Sequence, residues 1–217
     1  MDFVGIDRVV YGVTDMEKAV RFFADWGLKR VKGAKGATTF ETVNKSEVVL
    51  KPADAPDLPA PIEPGSTVRE VIWGVRKKRQ LEKLAESLAK EGKVSEDKDG
   101  TLHATDPMGL GIGFRVSRRL PLTAQATPLN APGRTRRIDK RSTIYERAQP
   151  QAIGHIVFAV PDWEEMERYY TRRVGFWVSD RYDGRGVFMR CSKVGSHHNF
   201  FLLRSADGTP HINHVAF

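Results

Sequence analysis

Five of the six histidines in this 217-residue sequence fall after residue 154: His155, His197, His198, His211 and His214. His155 stands in the apolar run 155–160 and His214 in Ile212-Asn213-His214-Val215-Ala216-Phe217. Strand side chains alternate, so His155 shares a face with Val157 and Ala159, and His214 with Ile212 and Ala216. If those faces enclose one apolar cavity, two imidazoles from separate strands converge there. Neutral imidazole nitrogens are common ligands of divalent iron, manganese and zinc. Of the neighbours His197 and His198, on opposite faces of one strand, only one can enter. A histidine that enters without binding the metal can take up and return a proton. If it is His198, Phe200 and Leu202 enter with it and line an aromatic-sized pocket.

A lone strand histidine more often packs or hydrogen-bonds than binds metal, so the elements that carry these residues decide the matter. The stretch Ile6–Asp15 and the stretch Ile153–Asp162 read as the same element about 147 residues apart. Each is an apolar strand followed by an acidic residue opening an amphipathic helix, and each helix leads to a glycine, Gly27 or Gly175. The strand Val68–Trp73 likewise matches Ile212–Phe217, which makes Glu70 the counterpart of His214 and Arg8 that of His155. Equivalent positions of repeated strands are neighbours in such a fold, and this supports a metal pair in the second copy. In the first copy Arg8 and Glu70 are expected to form a structural ion pair. His103 has no partner histidine there and reads as structural.

The pattern gives an α+β fold built from repeated βαβββ motifs, with two modules of curved mixed β-sheet. Module 1 spans 1–116: strands 3–13, 28–32, 37–43 and 46–52, with a helix after Asp15 whose inward positions are Met16, Ala19, Val20, Phe23 and Trp26. It restarts with strand 68–75, helix 78–91 and strands near 100–105 and 110–116. Residues 117–150 are a proline-containing basic connector. Module 2, from 151 to 217, has strand 153–160, helix 163–173 and strands near 175–181, 186–192, 198–203 and 211–217. Module 1 runs 43 residues past Glu70 to Gly113; the same step from His214 reaches about position 257. The second module is therefore expected to be incomplete, and strand 211–217 to leave its edge, Val215 and Phe217 uncovered. Either self-association, giving a homo-oligomer, or further residues would follow.

Composition bounds the partners. The connector holds +6 of the net +8 charge, without aromatic interleaving or a helical stripe, so it reads as solvated and not as a nucleic-acid site. No run approaches the roughly 18 apolar residues of a membrane span. The single Cys191 excludes an internal disulfide and fits a cytoplasmic location.

The run Gly154-His155-Ile156-Val157-Phe158-Ala159-Val160-Pro161-Asp162, then Tyr169-Tyr170 and Gly175-Phe176, resembles the vicinal-oxygen-chelate superfamily of glyoxalases, bleomycin-resistance proteins and dioxygenases. The pair His197-His198 with the strand around His214 is most similar to the type I extradiol ring-cleaving dioxygenases. That resemblance implies Fe(II), with Mn(II) as a second candidate, held by His155, His214 and a glutamate that falls beyond residue 217. It implies a small aromatic diol and O2 as substrates, His198 as acid-base catalyst, and Val157 and Phe200 against the ring. Two other activities fit the same scaffold: a non-catalytic protein sequestering an aromatic ligand or drug, and a glyoxalase-type metal-dependent isomerase or lyase. The isomerase is disfavoured because Asn199-Phe200-Phe201-Leu202-Leu203 lacks the acid its fourth strand requires.

Overall fold

The apolar run Phe3–Val13 forms β1, buried at most positions because it lies in the middle of its sheet, paired with strand Glu47–Pro52 on one side and strand Thr67–Val75 on the other. Asp15 then caps α1 (Met16–Asp25), its carboxylate accepting the Lys18 backbone N–H at 3.0 Å. β2 (Lys29–Val31), β3 (Thr38–Glu41) and β4 (Glu47–Pro52) close the first motif. β5 (Thr67–Val75), α2 (Lys78–Leu88), β6 (Ser95–Glu96), β7 (Leu102–Thr105) and β8 (Gly111–Val116) form the second. Together they make an eight-stranded sheet of order β2-β3-β4-β1-β5-β8-β7-β6. The motif returns as β9 (His155–Val160), α3 (Trp163–Tyr169), a π-helical turn (Tyr170–Val174), β10 (Trp177–Tyr182), β11 (Gly186–Arg190) and β12 (Phe200–Arg204). β13 (His211–Ala216) joins these strands in a five-stranded sheet, β10-β11-β12-β9-β13. The fold is the α+β arrangement of two mixed sheets expected from the repeat, the second sheet smaller than the first.

This computed structural model describes residues 1–123, 144 and 146–217. Of the basic connector, Arg134, Arg136, Arg137, Lys140 and Arg141 lie outside the described residues.

Three details differ from the sequence reading. β6 is an extra strand of two exposed residues, too short to show alternation. α2 stops at Leu88 rather than at 91. The last residues of the helix expected over 163–173 form a π-turn, closed by Gly175 at φ 90°. The left-handed conformation there favours glycine, which lets the chain turn sharply into β10.

The helix-facing side chains of both sheets share one core. Phe3 and Trp73 of module 1 meet Phe176 of module 2 at ring distances of 5.2 and 4.7 Å, and Trp73 meets Phe200 at 6.1 Å. Tyr170 also crosses the junction, its hydroxyl donating to the buried Asp106 carboxylate at 2.8 Å. Burial pushes the Asp106 carboxyl up to about 6, against the hydrogen bonds it accepts from Tyr170, Leu110 and Met108. Trp26, expected to face inward, is the C-cap of α1 and stays 47% exposed. Val215 and Phe217, expected to be uncovered, are half-buried against the core. Phe217 lies 6.2 Å from the Trp26 ring, so each partly shields the other.

Candidate functional site

Strand register tests the repeat residue by residue. β1 pairs antiparallel with β5, aligning Arg8 with Ile72, Val9 with Val71 and Val10 with Glu70. β9 pairs antiparallel with β13, aligning His155 with Ala216, Ile156 with Val215 and Val157 with His214. The two registers coincide when Arg8 is laid on His155 and Glu70 on His214. Parallel neighbours extend the match: Arg8 stands beside Glu47 of β4, and Ile156 stands beside Phe200 of β12, which puts Asn199 beside His155.

In module 2 this register brings the histidines together. His155 Nε2 and His214 Nε2 are 3.0 Å apart. The His198 ring lies 4.5 Å from that of His155. His214 is fixed by its other nitrogen, Nδ1 donating to Asn213 Oδ1 at 2.8 Å, which leaves Nε2 as the acceptor. Desolvation, and then the neighbouring histidines, hold the pKa values of His155 and His198 below the ordinary imidazole value. Neutral imidazoles with free Nε2 lone pairs are the ligand form.

The pair also meets a geometric test for a metal. Two nitrogens each about 2.1 Å from one ion, at the right angle of neighbouring octahedral positions, are themselves about 3.0 Å apart. The observed separation fits two adjacent ligands. It equally suits an N–H···N hydrogen bond when one imidazole carries the proton there. Among the described residues, no group of three histidine, cysteine or acidic side chains has metal-binding geometry. The site therefore supplies two ligands of a possible set and no carboxylate.

The surroundings correct the sequence reading in two ways. His197 and His198 lie in the loop before β12, not in the strand, and His198 reaches His155 from that loop. Alternation therefore does not carry from His198 to Phe200. Phe200 and Leu202 are fully buried on the helix side, Phe200 against Phe158, Tyr170 and Phe176. Phe201 takes the place foreseen for Phe200: it stands beside Val157 and stacks at 4.0 Å on Phe188 of β11. Phe188 in turn lies 5.1 Å from the His198 ring. Val157 does share the His155 face, where it is 2% exposed. The face is open and not an enclosed cavity, with His214 exposed and His155 and His198 half-buried. Phe188, Phe201 and Asn213 were not foreseen; the first two were readable only from strand register.

The same positions of module 1 carry a different set. Arg8 donates from Nε to Glu47 at 2.7 Å, not to Glu70. Glu70 instead meets His103 Nδ1 at 2.6 Å, and His103 Nε2 lies 3.4 Å from Asp97. Buried Arg115 stands 2.9 Å from Glu47 and 3.1 Å from Asp7. At Gly113 a Cβ would come 3.2 Å from Glu70 Oε1 and 2.9 Å from Ile72 Cγ1, so the side chain missing there leaves room for the Glu70–His103 pair.

Comparison with known proteins agrees with this asymmetry. Residues 152–217 match the Glyoxalase/Bleomycin resistance protein/Dioxygenase superfamily. That match covers the second module. No curated protein matches the chain at the level of sequence. Among solved structures, the Mn(II)-bound glyoxalase from Novosphingobium aromaticivorans superposes on the whole chain with a TM-score of 0.71 at 24% identity. The 2,3-dioxygenase LapB from Pseudomonas sp. KL28 covers 99% of the chain with a TM-score of 0.69 at 16% identity. An extradiol ring-cleaving dioxygenase from B. fuscum covers all of it with a TM-score of 0.68 at 20% identity. At these identities the likeness is one of fold. The chain spans 65%, 74% and 57% of those three proteins' lengths. The family match thus covers module 2, and the fold likeness extends over both modules.

Proposed function

We propose that the chain carries the histidine part of an extradiol-type centre, in which His155 and His214 hold Fe(II), or Mn(II), for O2-dependent cleavage of a catechol-type aromatic. The 3.0 Å approach of their two Nε2 atoms, with His198 beside them, carries this reading. When bound, the metal would activate a diol and dioxygen together. The chain's own contribution is positional. Asn213 orients His214, and burial keeps His155 uncharged. His198, held below the ordinary histidine pKa, is a neutral base able to accept a proton from a substrate hydroxyl and return it. Phe188 and Phe201 offer a stacked aromatic edge beside it for a ring.

The test is a Mn(II) titration of the purified chain, with oxygen uptake measured on catechol after Fe(II) loading. His155→Ala and His214→Ala should each remove metal binding, and His198→Phe should keep the metal while lowering turnover by roughly 10²–10⁴-fold. Metal binding by His155→Ala equal to that of the unaltered chain would overturn the assignment. The two-ligand set also favours a second reading, a metal-free aromatic binder on the same face. Catechol binding that ignores metal and falls away in Phe188→Ala would establish that reading instead.

A further inference from the structure

Module 1 has its own cavity, of about 710 Å³, on the sheet face that corresponds to the histidine face of module 2. Its size lies in the range of small-molecule sites. The floor is apolar: Val10, Val49 and Ile72 form a small buried cluster with Leu58 packed against it. Two of its polar groups stand at the positions that repeat the histidine pair. Arg8 occupies the His155 position and is engaged through Nε alone. Among the described residues, no hydrogen bond occupies its two terminal nitrogens. Glu70 occupies the His214 position and is 6% exposed, with His103 on Oε1. Lys93 adds a further cation to the lining.

From this arrangement we infer that the module 1 cavity is a second binding site, for a small carboxylate with an apolar body and a hydroxyl group. The Arg8 terminal nitrogens form a planar fork suited to a carboxylate. Arg8 aligns with Ile72 and Glu70 with Val10 on paired strands, so the fork and the Glu70 carboxylate lie diagonally across the strand pair, with Val10 and Ile72 at the same level. A planar body resting on that apolar floor would present its carboxylate to Arg8 and its hydroxyl to Glu70. The imidazole of His103 between Glu70 and Asp97 offsets the negative charge that would otherwise repel such a ligand. Its pKa is raised first by the hydrogen bond to Glu70, against the effect of burial, and then by Asp97. Charge arranged this way favours an anion that also carries a donor. The site is separate from the histidine face and does not depend on the activity proposed for it.

The probe is 4-hydroxybenzoate, titrated into the metal-free 217-residue chain by calorimetry and by NMR of the histidine ring protons. Saturable binding is expected, with the His103 signals shifting and those of His155 and His214 staying in place. Benzyl alcohol, which lacks the carboxylate, should bind at least about 10-fold more weakly, since it forgoes a charge-assisted bond to Arg8. Arg8→Met should lose a similar factor. If that variant fails to fold, Thr105→Trp, which reaches into the cavity from β7 on the face of His103 and Glu70, should abolish binding. His155→Ala should bind as the unaltered chain does. No saturation at about 10 mM, equal affinity for the two probes, or loss of binding in His155→Ala would each overturn the proposal.

Discussion

At one register position the two modules carry opposite chemistries: Arg8 on β1, locked to Glu47, and His155 on β9, turned toward His214. The difference continues around them. Where module 1 has Asp7, Glu47 and Glu70, module 2 has Gly154, Asn199 and His214. A buried network of compensating charges occupies the first set, and a glycine, an amide and an imidazole occupy the second. Charged residues buried together must be paired, so each constrains the next, whereas neutral imidazoles keep lone pairs free. The same scaffold position is thus tied through one nitrogen to a neighbouring carboxylate in one copy and set against another imidazole in the other.

The comparison can be broken most forcibly at Arg115. Arg115→Met leaves Asp7, 0% exposed, without its cation and should destabilise the chain by about 3–5 kcal/mol in urea denaturation. His155→Leu in module 2 should cost less than about 1 kcal/mol, because it strands no charge. Similar losses for the two variants would erase the contrast. Next in size is the junction: Tyr170→Phe deprives the buried Asp106 of its hydroxyl donor and should cost about 1–3 kcal/mol. A loss below about 0.5 kcal/mol would mean that another donor replaces it. The helix caps sharpen the likeness instead. Asp15→Ala and Asp162→Ala each remove an acceptor from a backbone N–H, at 3.0 and 2.8 Å, and should cost about 1 kcal/mol apiece.

The smallest expected effect has opposite signs in the two modules. The folded pKa of His103 is raised above 6.5 by Glu70, so its contribution to stability is full below 6.5 and is lost as pH rises through the folded value. The pKa values of His155 and His198 are lowered by burial and by neighbouring histidines. Their contribution is full above 6.5 and is lost as pH falls through their folded values. NMR titration should find His103 above the ordinary value and the other two below it, and Glu70→Gln should move His103 alone. All three titrating together would contradict the two environments described.

Most of the scaffold was legible because the repeat could be read twice. Once β1 and β9 were matched, their partners β5 and β13 followed, and the pairing of His155 with His214 came with them. What resisted were features that a period-two pattern does not encode. The loop over 192–199 breaks the alternation between His198 and Phe200, which is why Phe201 and not Phe200 shares the face of Val157. The partners of Arg8 and Glu70 were misread because both sit on the same strand pair, while the charges that satisfy them, Glu47 and His103, come from β4 and β7 on either side.

The shared aromatic core has a consequence for how the chain melts and for its ancestry. Trp73 is 1% exposed and Phe200 fully covered because each module supplies part of the other's wall. Cutting the chain between the modules would bare both rings, so heating should give a single transition whose calorimetric and van 't Hoff enthalpies agree. A single-module forebear would have exposed the same apolar wall. It would have needed a second copy of itself to cover that wall, and the contact now sealed within one polypeptide would then have been a contact between two.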